Sequence, residues 1–206
     1  MIVAHPDDET LWAGGTILSN PSWKCFIVCL CRKSDTERAQ KFSKVLEILK
    51  SDGNMGDLDD GPDQKPLDEK VLEGTILDLL PPVHFDLVIT HNPKGEYTRH
   101  LRHEETGIAV QKLWDNGKIS AKELWTFAYD DNDRRHLPLP LITAPFYLKL
   151  ANDIWQQKYN LITETYGFEK DSWEAKTTPR AEAFWKMEKL NPKVNKLTHH
   201  ESISNV

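Results

Sequence analysis

His5, Asp7 and Asp8 crowd together near the start of the chain, in the run Ala4-His5-Pro6-Asp7-Asp8-Glu9. The run follows an apolar Met1-Ile2-Val3-Ala4 and precedes Leu11-Trp12-Ala13-Gly14-Gly15, the pattern of a buried strand, a tight polar turn and a helix. An imidazole and adjacent carboxylates at a strand end are costly unless something binds them. A divalent cation does so. Imidazole nitrogen and carboxylate oxygen are both zinc ligands, and a catalytic zinc keeps one position for water. Pro6 fixes one φ angle, so His5 and Asp8 can converge on one point while Asp7 is left to act as a base. Acids are also favoured at a helix N-terminus, and taken alone the Asp-Asp-Glu run fits that role better.

A second group shifts the balance: Tyr97-Thr98-Arg99-His100-Leu101-Arg102-His103-Glu104-Glu105, followed by apolar Ile108, Val110, Leu113 and Trp114. A helix is expected here, capped by Thr98, with His100 and His103 three residues apart on one face. One imidazole can bind a metal while the other stands beside it as a donor or acid. Together the two groups supply three protein ligands and further acid–base groups, the set that metal-assisted hydrolysis requires.

The elements between them must bring these residues to one place. Residues 23–31 form a continuous apolar run, as in a strand covered on both faces. Asp35 or Ser34 can cap a helix bearing Phe42, Val45, Leu46 and Leu49. Residues 51–66 are rich in Gly and Asp and read as a loop. Helical spacing returns over 67–80, and Pro81-Pro82 end it. Residues 85–91 and 124–129 read as further buried strands. After Pro145 a helix is expected through Ile162, and another from Pro179 through Phe184, Trp185 and Met187. Trp173 is assigned to core packing.

Strands alternating with helices give an α/β, Rossmann-like fold: a mostly parallel sheet with helices on both faces and ligands at the carboxyl edge. One α/β catalytic domain is expected over 1–190, with a polar tail over 191–206. No Gly-x-Gly-x-x-Gly follows the first strand, so no dinucleotide cofactor is expected.

At this point the chain resembles the LmbE-like (PIG-L) family of zinc-dependent de-N-acetylases. Ala4 to Glu9 matches its first signature and His100-x-x-His103 its second; the similarity runs loosely from residue 1 to about 130. The resemblance implies Zn2+ on His5, Asp8 and His103, with ferrous iron or cobalt also suited to that donor set. It implies Asp7 as general base and His100 as the group facing the oxyanion. Arg38 and Tyr97 are candidate substrate contacts. The implied reaction removes an N-acetyl group from a small substrate, an amino sugar or its conjugate. The alternatives are an amidase acting on a larger acyl or thiol-conjugate amide, and a non-catalytic binding protein in which both groups are helix caps.

The chain departs from the family pattern in two respects. Leu101-Arg102 replaces the usual Pro-Asp between the histidines, and Lys41 stands where an acid often follows Arg38. With Arg102 rather than an acid nearby, the His100 pKa is expected to fall below its usual value of about 6.5.

The chain has 206 residues, 39% hydrophobic and 28% charged, as in ordinary globular proteins. A net charge of -6 disfavours nucleic acid and anionic membranes as partners. No apolar run approaches the roughly 20 residues of a membrane span, and no secretory leader is expected. Cys25, Cys29 and Cys31 are read as one face of a buried strand in a reducing cytoplasm.

Overall fold

The strand at the centre of the sheet's five parallel strands is only two residues long: β1, Ile2–Val3, fully buried on both sides. The computed structural model describes residues 1–189, so the tail expected from residue 191 lies outside the described residues. After β1 come α1 (Asp8–Ser19), β2 (Phe26–Cys31), α2 (Thr36–Ile48), β3 (Asp52–Leu58), α3 (Glu69–Leu79), β4 (Phe85–Thr90), α4 (Leu101–Asp115) and β5 (Ala121–Phe127). A small ladder, β6 (Tyr129–Asp130) with β7 (Leu139–Pro140), is followed by β8 (Phe146–Lys149), α5 (Asn152–Asn160), a π-helical turn (Leu161–Thr165), α6 (Trp173–Thr177) and β9 (Ala181–Lys186).

The large sheet runs β3-β2-β1-β4-β5-β9-β8. Its first five strands are parallel, and β9 and β8 add antiparallel pairs at the far edge. Strand order therefore reverses at β1, with β2 on one side and β4 on the other. A crevice opens at such a switch point, beyond the carboxyl ends of the strands. Helices α1, α2 and the π-helical turn pack on one face, against Val3, Ile27, Cys29, Ile89 and Phe127. Helices α3 and α4 cover the other, against Ile2, Val28, Leu30, Val88 and Leu124. No helix among the described residues is long and apolar enough to cross a membrane.

Four sequence expectations need correction. The 51–66 loop contains β3, paired in parallel with β2. Its side chains are mostly exposed, so hydrophobic alternation gave no signal; backbone pairing and two glycines make the strand. A Cβ on Gly53 would lie 2.3 Å from the Ile27 carbonyl oxygen, so only glycine allows this approach. The ladder also slips between Cys29 and Cys31, and Cys31 joins the cluster opposite Cys29. The expected helix after Pro145 begins as β8, and the expected helix from Pro179 is β9.

Strand β9 is held by a buried charge cluster that its sequence alone did not suggest. Glu182 accepts hydrogen bonds from Gly15 N–H (2.8 Å), Thr16 N–H (2.6 Å) and Thr16 Oγ (2.6 Å), and pairs with Lys158 Nζ at 2.6 Å. Both charged side chains are fully buried. The cluster fixes α1, and with it the His5–Asp8 turn, against the far edge of the sheet. Removing one member of a buried pair strands the other charge. Lys158→Met should therefore cost about 3–5 kcal/mol in urea unfolding. A loss under about 1 kcal/mol would mean that the three α1 donors satisfy Glu182 alone.

Candidate active site

The crevice at the switch point holds a cleft of about 320 Å3. The β1–α1 turn supplies one wall. Asp7 sits at the N-terminus of α1 with φ 119°, a left-handed conformation that costs a non-glycine residue of order 1–3 kcal/mol. Buried Glu9 secures it: Glu9 Oε2 accepts Asp7 N–H at 3.0 Å, while Oε1 accepts the Thr10 hydroxyl at 2.6 Å and the Tyr166 hydroxyl at 2.7 Å. Glu9 is thus a buried brace rather than a surface cap. The turn directs Asp7 to the cleft and Asp8 beneath it.

Asp8 is buried, with Oδ1 accepting from Trp12 Nε1 at 3.0 Å and Oδ2 accepting from His5 N–H at 2.8 Å. Burial opposes its charge, but the His103 and His91 imidazoles outweigh that and hold its carboxyl well below the usual range. His5 Nδ1 lies 3.2 Å from Asp8 Oδ2 and 3.2 Å from His103 Nε2, and His103 Nε2 lies 3.3 Å from Asp8 Oδ1. Two imidazole nitrogens have met, with a carboxylate beside both. Donors held tetrahedrally by zinc at about 2.0–2.1 Å would stand about 3.4 Å apart. The spacing and chemistry of His5, Asp8 and His103 fit such an ion.

His103 is presented by Glu96, which sequence reasoning missed. Glu96 Oε2 accepts His103 Nδ1–H at 2.7 Å, so Nε2 keeps its lone pair for the cleft. The same oxygen lies 3.0 Å from His91 Nδ1, and the His91 and His103 rings stack at 3.9 Å. His91 closes the group from the end of β4. Its Nε2 accepts Ala4 N–H at 3.0 Å, so this hydrogen bond requires the neutral ring with Nδ1 protonated. The bond also occupies the nitrogen that a metal would need. The only clue in the sequence was a histidine ending a buried strand. Gly107 lets α4 press on this loop: a Cβ there would lie 2.6 Å from the His91 carbonyl oxygen.

His100 stands at the N-cap of α4, and its ring stacks on His103 at 4.5 Å. Thr98 does not cap the helix; its N–H and hydroxyl both donate to Asp131, each at 2.8 Å. The His100 pKa is pushed down to about 3, first by burial and then by His103 and His5. The direction matches expectation, but Arg102 is not the cause. Its guanidinium is buried and turned to Glu105 and to the carbonyls of Asp59 and Lys65. Neither neighbouring acid orients His100: Glu104 takes Arg99, and Glu105 takes Arg102. The buried Nδ1 of His100 has no hydrogen-bond partner among the described residues.

Asp7 and His100 both line the cleft. The Asp7 pKa is raised well above the usual value by burial and by the Asp8 and Glu9 carboxylates. Arg38, at the start of α2, reaches Asp7 Oδ2 at 3.3 Å and lies over the Phe168 ring. Lys41 bonds Glu37 on its own helix at 2.6 Å. Tyr97 lines the cleft with its ring 5.4 Å from His103 and 5.0 Å from Trp173. Trp173, assigned to the core from sequence, instead lines the cleft and is 37% exposed. Asp60 and Arg32 also line it, and neither was singled out from sequence.

Glu96 carries the most concentrated duty. Glu96→Gln keeps its shape and removes the charge that two imidazoles share. It should lower the stability of the metal-free chain by about 1.5–3 kcal/mol, the size of hydrogen bonds to charged groups. Urea unfolding in chelator measures it, and a loss below about 0.5 kcal/mol would show the charge to be dispensable.

Comparison with known proteins identifies the fold and the family. The chain is 28% identical over 184 residues to "Uncharacterized protein L374" of Acanthamoeba polyphaga mimivirus, covering 82% of this chain and 75% of that protein. The fold is similar to N,N'-diacetylchitobiose deacetylase from Pyrococcus horikoshii, with TM-score 0.65 and 16% identity over 90% of this chain and 82% of that one. It is also similar to a deacetylase in biosynthesis of teicoplanin, with TM-score 0.62 and 13% identity over 93% of this chain and 98% of that one. The 4-carboxy-2-hydroxymuconate hydratase GalB of Pseudomonas putida has the same fold at TM-score 0.60 and 15% identity, over 92% and 96% of the two chains. The family model for the GlcNAc-PI de-N-acetylases, PIG-L, matches residues 1–114, which hold both histidine groups. The chain therefore belongs to the PIG-L (LmbE-like) family of deacetylases.

Proposed function

We propose that this chain is a metal-dependent de-N-acetylase for a small substrate, an N-acetylated amino sugar or its conjugate. The observation that carries the reading is the convergence of His5, Asp8 and His103 at 3.2–3.3 Å, with Asp7 and His100 beside it. The fold alone would not decide the reaction, since a hydratase shares it. The donor set suits zinc, and ferrous iron or cobalt would also be accepted.

A zinc-class ion held there would supply an activated water and polarise the acetamide carbonyl. The protein residues do the rest. Asp7 is placed to accept the proton of the attacking water and to return it to the departing amine. Arg38 holds the Asp7 carboxylate towards the cleft. His100 offers a neutral ring N–H to the oxygen on which charge develops, the role of an oxyanion donor. Products are acetate and a free amine.

Two features support a sugar-sized substrate. The cleft of about 320 Å3 is at the small end of ligand pockets, which favours a compact acyl group over a long one. The exposed indole of Trp173 stands two ring contacts from His103, no more than about 10 Å away. An apolar sugar face can rest on such a ring while the acetamide reaches the ligand group.

The chain should bind one equivalent of zinc, and affinity should fall on acidification because ligand imidazoles must be neutral. His103→Ala should abolish that binding by elemental analysis after dialysis; a full equivalent retained by the variant contradicts the ligand set. Asp7→Asn should keep its metal and deacetylate a panel of N-acetylated amino sugars about 10²–10⁴-fold more slowly. Loss of metal from this variant would instead mean that Asp7 is a ligand.

A further inference from the structure

The residue that breaks the family pattern, Arg102, has a use that points to a further positioning group. If His5 ligates through Nδ1, the nitrogen that faces Asp8 and His103, its other nitrogen must carry the ring proton. That Nε2 is buried and lies 3.1 Å from Asp60 Oδ1, within hydrogen-bond distance although the ring N–H is not aligned on the oxygen here. It has no other partner among the described residues. Asp60 belongs to the loop after β3, far from His5 in sequence, and its side chain is 8% exposed.

Asp60 is held firmly. Its Oδ2 accepts from Arg32 Nε at 3.0 Å and Nη2 at 2.5 Å, and its Oδ1 accepts from Gln64 Nε2 at 3.0 Å. The loop that carries it is clamped from the other side by Arg102, which is 1% exposed. Arg102 Nε donates to the Asp59 carbonyl at 2.6 Å, and Nη2 to the Lys65 carbonyl at 2.7 Å. Arg102 Nη1 donates to Glu105 Oε2 at 2.5 Å, and Glu105 Oε1 accepts Leu67 N–H at 2.8 Å. Three residues of the first two turns of α4 thus serve one purpose: His103 enters the cleft, while Arg102 and Glu105 pin both flanks of Asp60.

We propose that Asp60 is the positioning carboxylate for His5, accepting its Nε2–H and so presenting Nδ1 to a metal ion, with Arg102 as the clamp that sets Asp60 in place. The proposal rests on the metal-site reading above. It gives each imidazole its own buried acid, Glu96 for His103 and Asp60 for His5. It also accounts for the arginine between the two histidines: a carboxylate there would have no means of gripping the Asp59 and Lys65 carbonyls.

The test is zinc affinity of the 206-residue chain, measured by competition with a chromophoric chelator, for wild type, Asp60→Asn, Asp60→Ala, Arg102→Met and His103→Ala. Loss of such an outer carboxylate weakens metal binding about 10–100-fold. Asp60→Ala and Arg102→Met should both fall in that range, and Asp60→Asn, which retains an acceptor oxygen, should fall less. In the zinc-loaded wild type the His5 Nε2–H should give a protected downfield proton signal in NMR, and Asp60→Ala should lose it. This readout separates a hydrogen bond to His5 from a general loosening of the loop. If Arg102→Met fails to fold, the Asp60 pair decides alone. Wild-type affinity in Asp60→Ala, with metal lost from His103→Ala, overturns this proposal and leaves the metal reading standing. Wild-type affinity in both overturns the metal reading itself.

Discussion

A carboxylate with no access to water must be surrounded by donors, because burying it bare costs many kcal/mol. Glu96 meets that condition at the centre of the molecule. It accepts from Asn92 N–H at 2.8 Å, from His91 Nδ1 at 3.0 Å and from His103 Nδ1 at 2.7 Å. Through His91 it is tied to the Ala4 backbone at the end of β1, and through His103 to the first turn of α4. The crossing of these ties sets the distance between the two histidine groups of the sequence. The stacking of His91 on His103, the close approach at Gly107 and the His5–His103 meeting all depend on this one satisfied charge.

The same logic recurs at the other buried acids. Glu9 is enclosed by the Thr10 and Tyr166 hydroxyls and the Asp7 backbone, and Glu182 by α1 and Lys158. Each joins distant segments: Glu9 links the site turn to the π-helical segment, and Glu182 links α1 to the antiparallel edge. The cleft is thus assembled on β1 and β4 and braced from the C-terminal third. Trp173 comes from that third, beyond the family match that ends at residue 114. The C-terminal third therefore adds Trp173 and Glu174 to a cleft lined otherwise by residues within the family match.

Much of this was legible in the sequence. The crowding of His5, Asp7 and Asp8 and the spacing of His100 and His103 identified the groups that meet in the cleft, and apolar runs located β2, β4 and α4. What stayed hidden depended on long-range pairing. β3 is an edge strand with exposed side chains, so nothing in its pattern distinguishes it from a loop. β9 reads as helical until β5 and β8 supply its partners. Glu96, Asp60 and His91 are single polar residues whose partners lie up to 87 positions away, and composition gives no sign of them. Arg102 stood out as an oddity, yet only the 59–67 loop reveals what it grips.

The central claim is that two imidazoles and one carboxylate, with no thiolate, form a metal centre at the end of β1. X-ray absorption at the zinc edge on the loaded chain addresses it directly. The account predicts a first shell of nitrogen and oxygen at about 2.0–2.1 Å, with the outer-ring scattering of two imidazoles. A sulfur shell at about 2.3 Å, implicating Cys25, Cys29 or Cys31, or a shell of oxygens without imidazole, would contradict it.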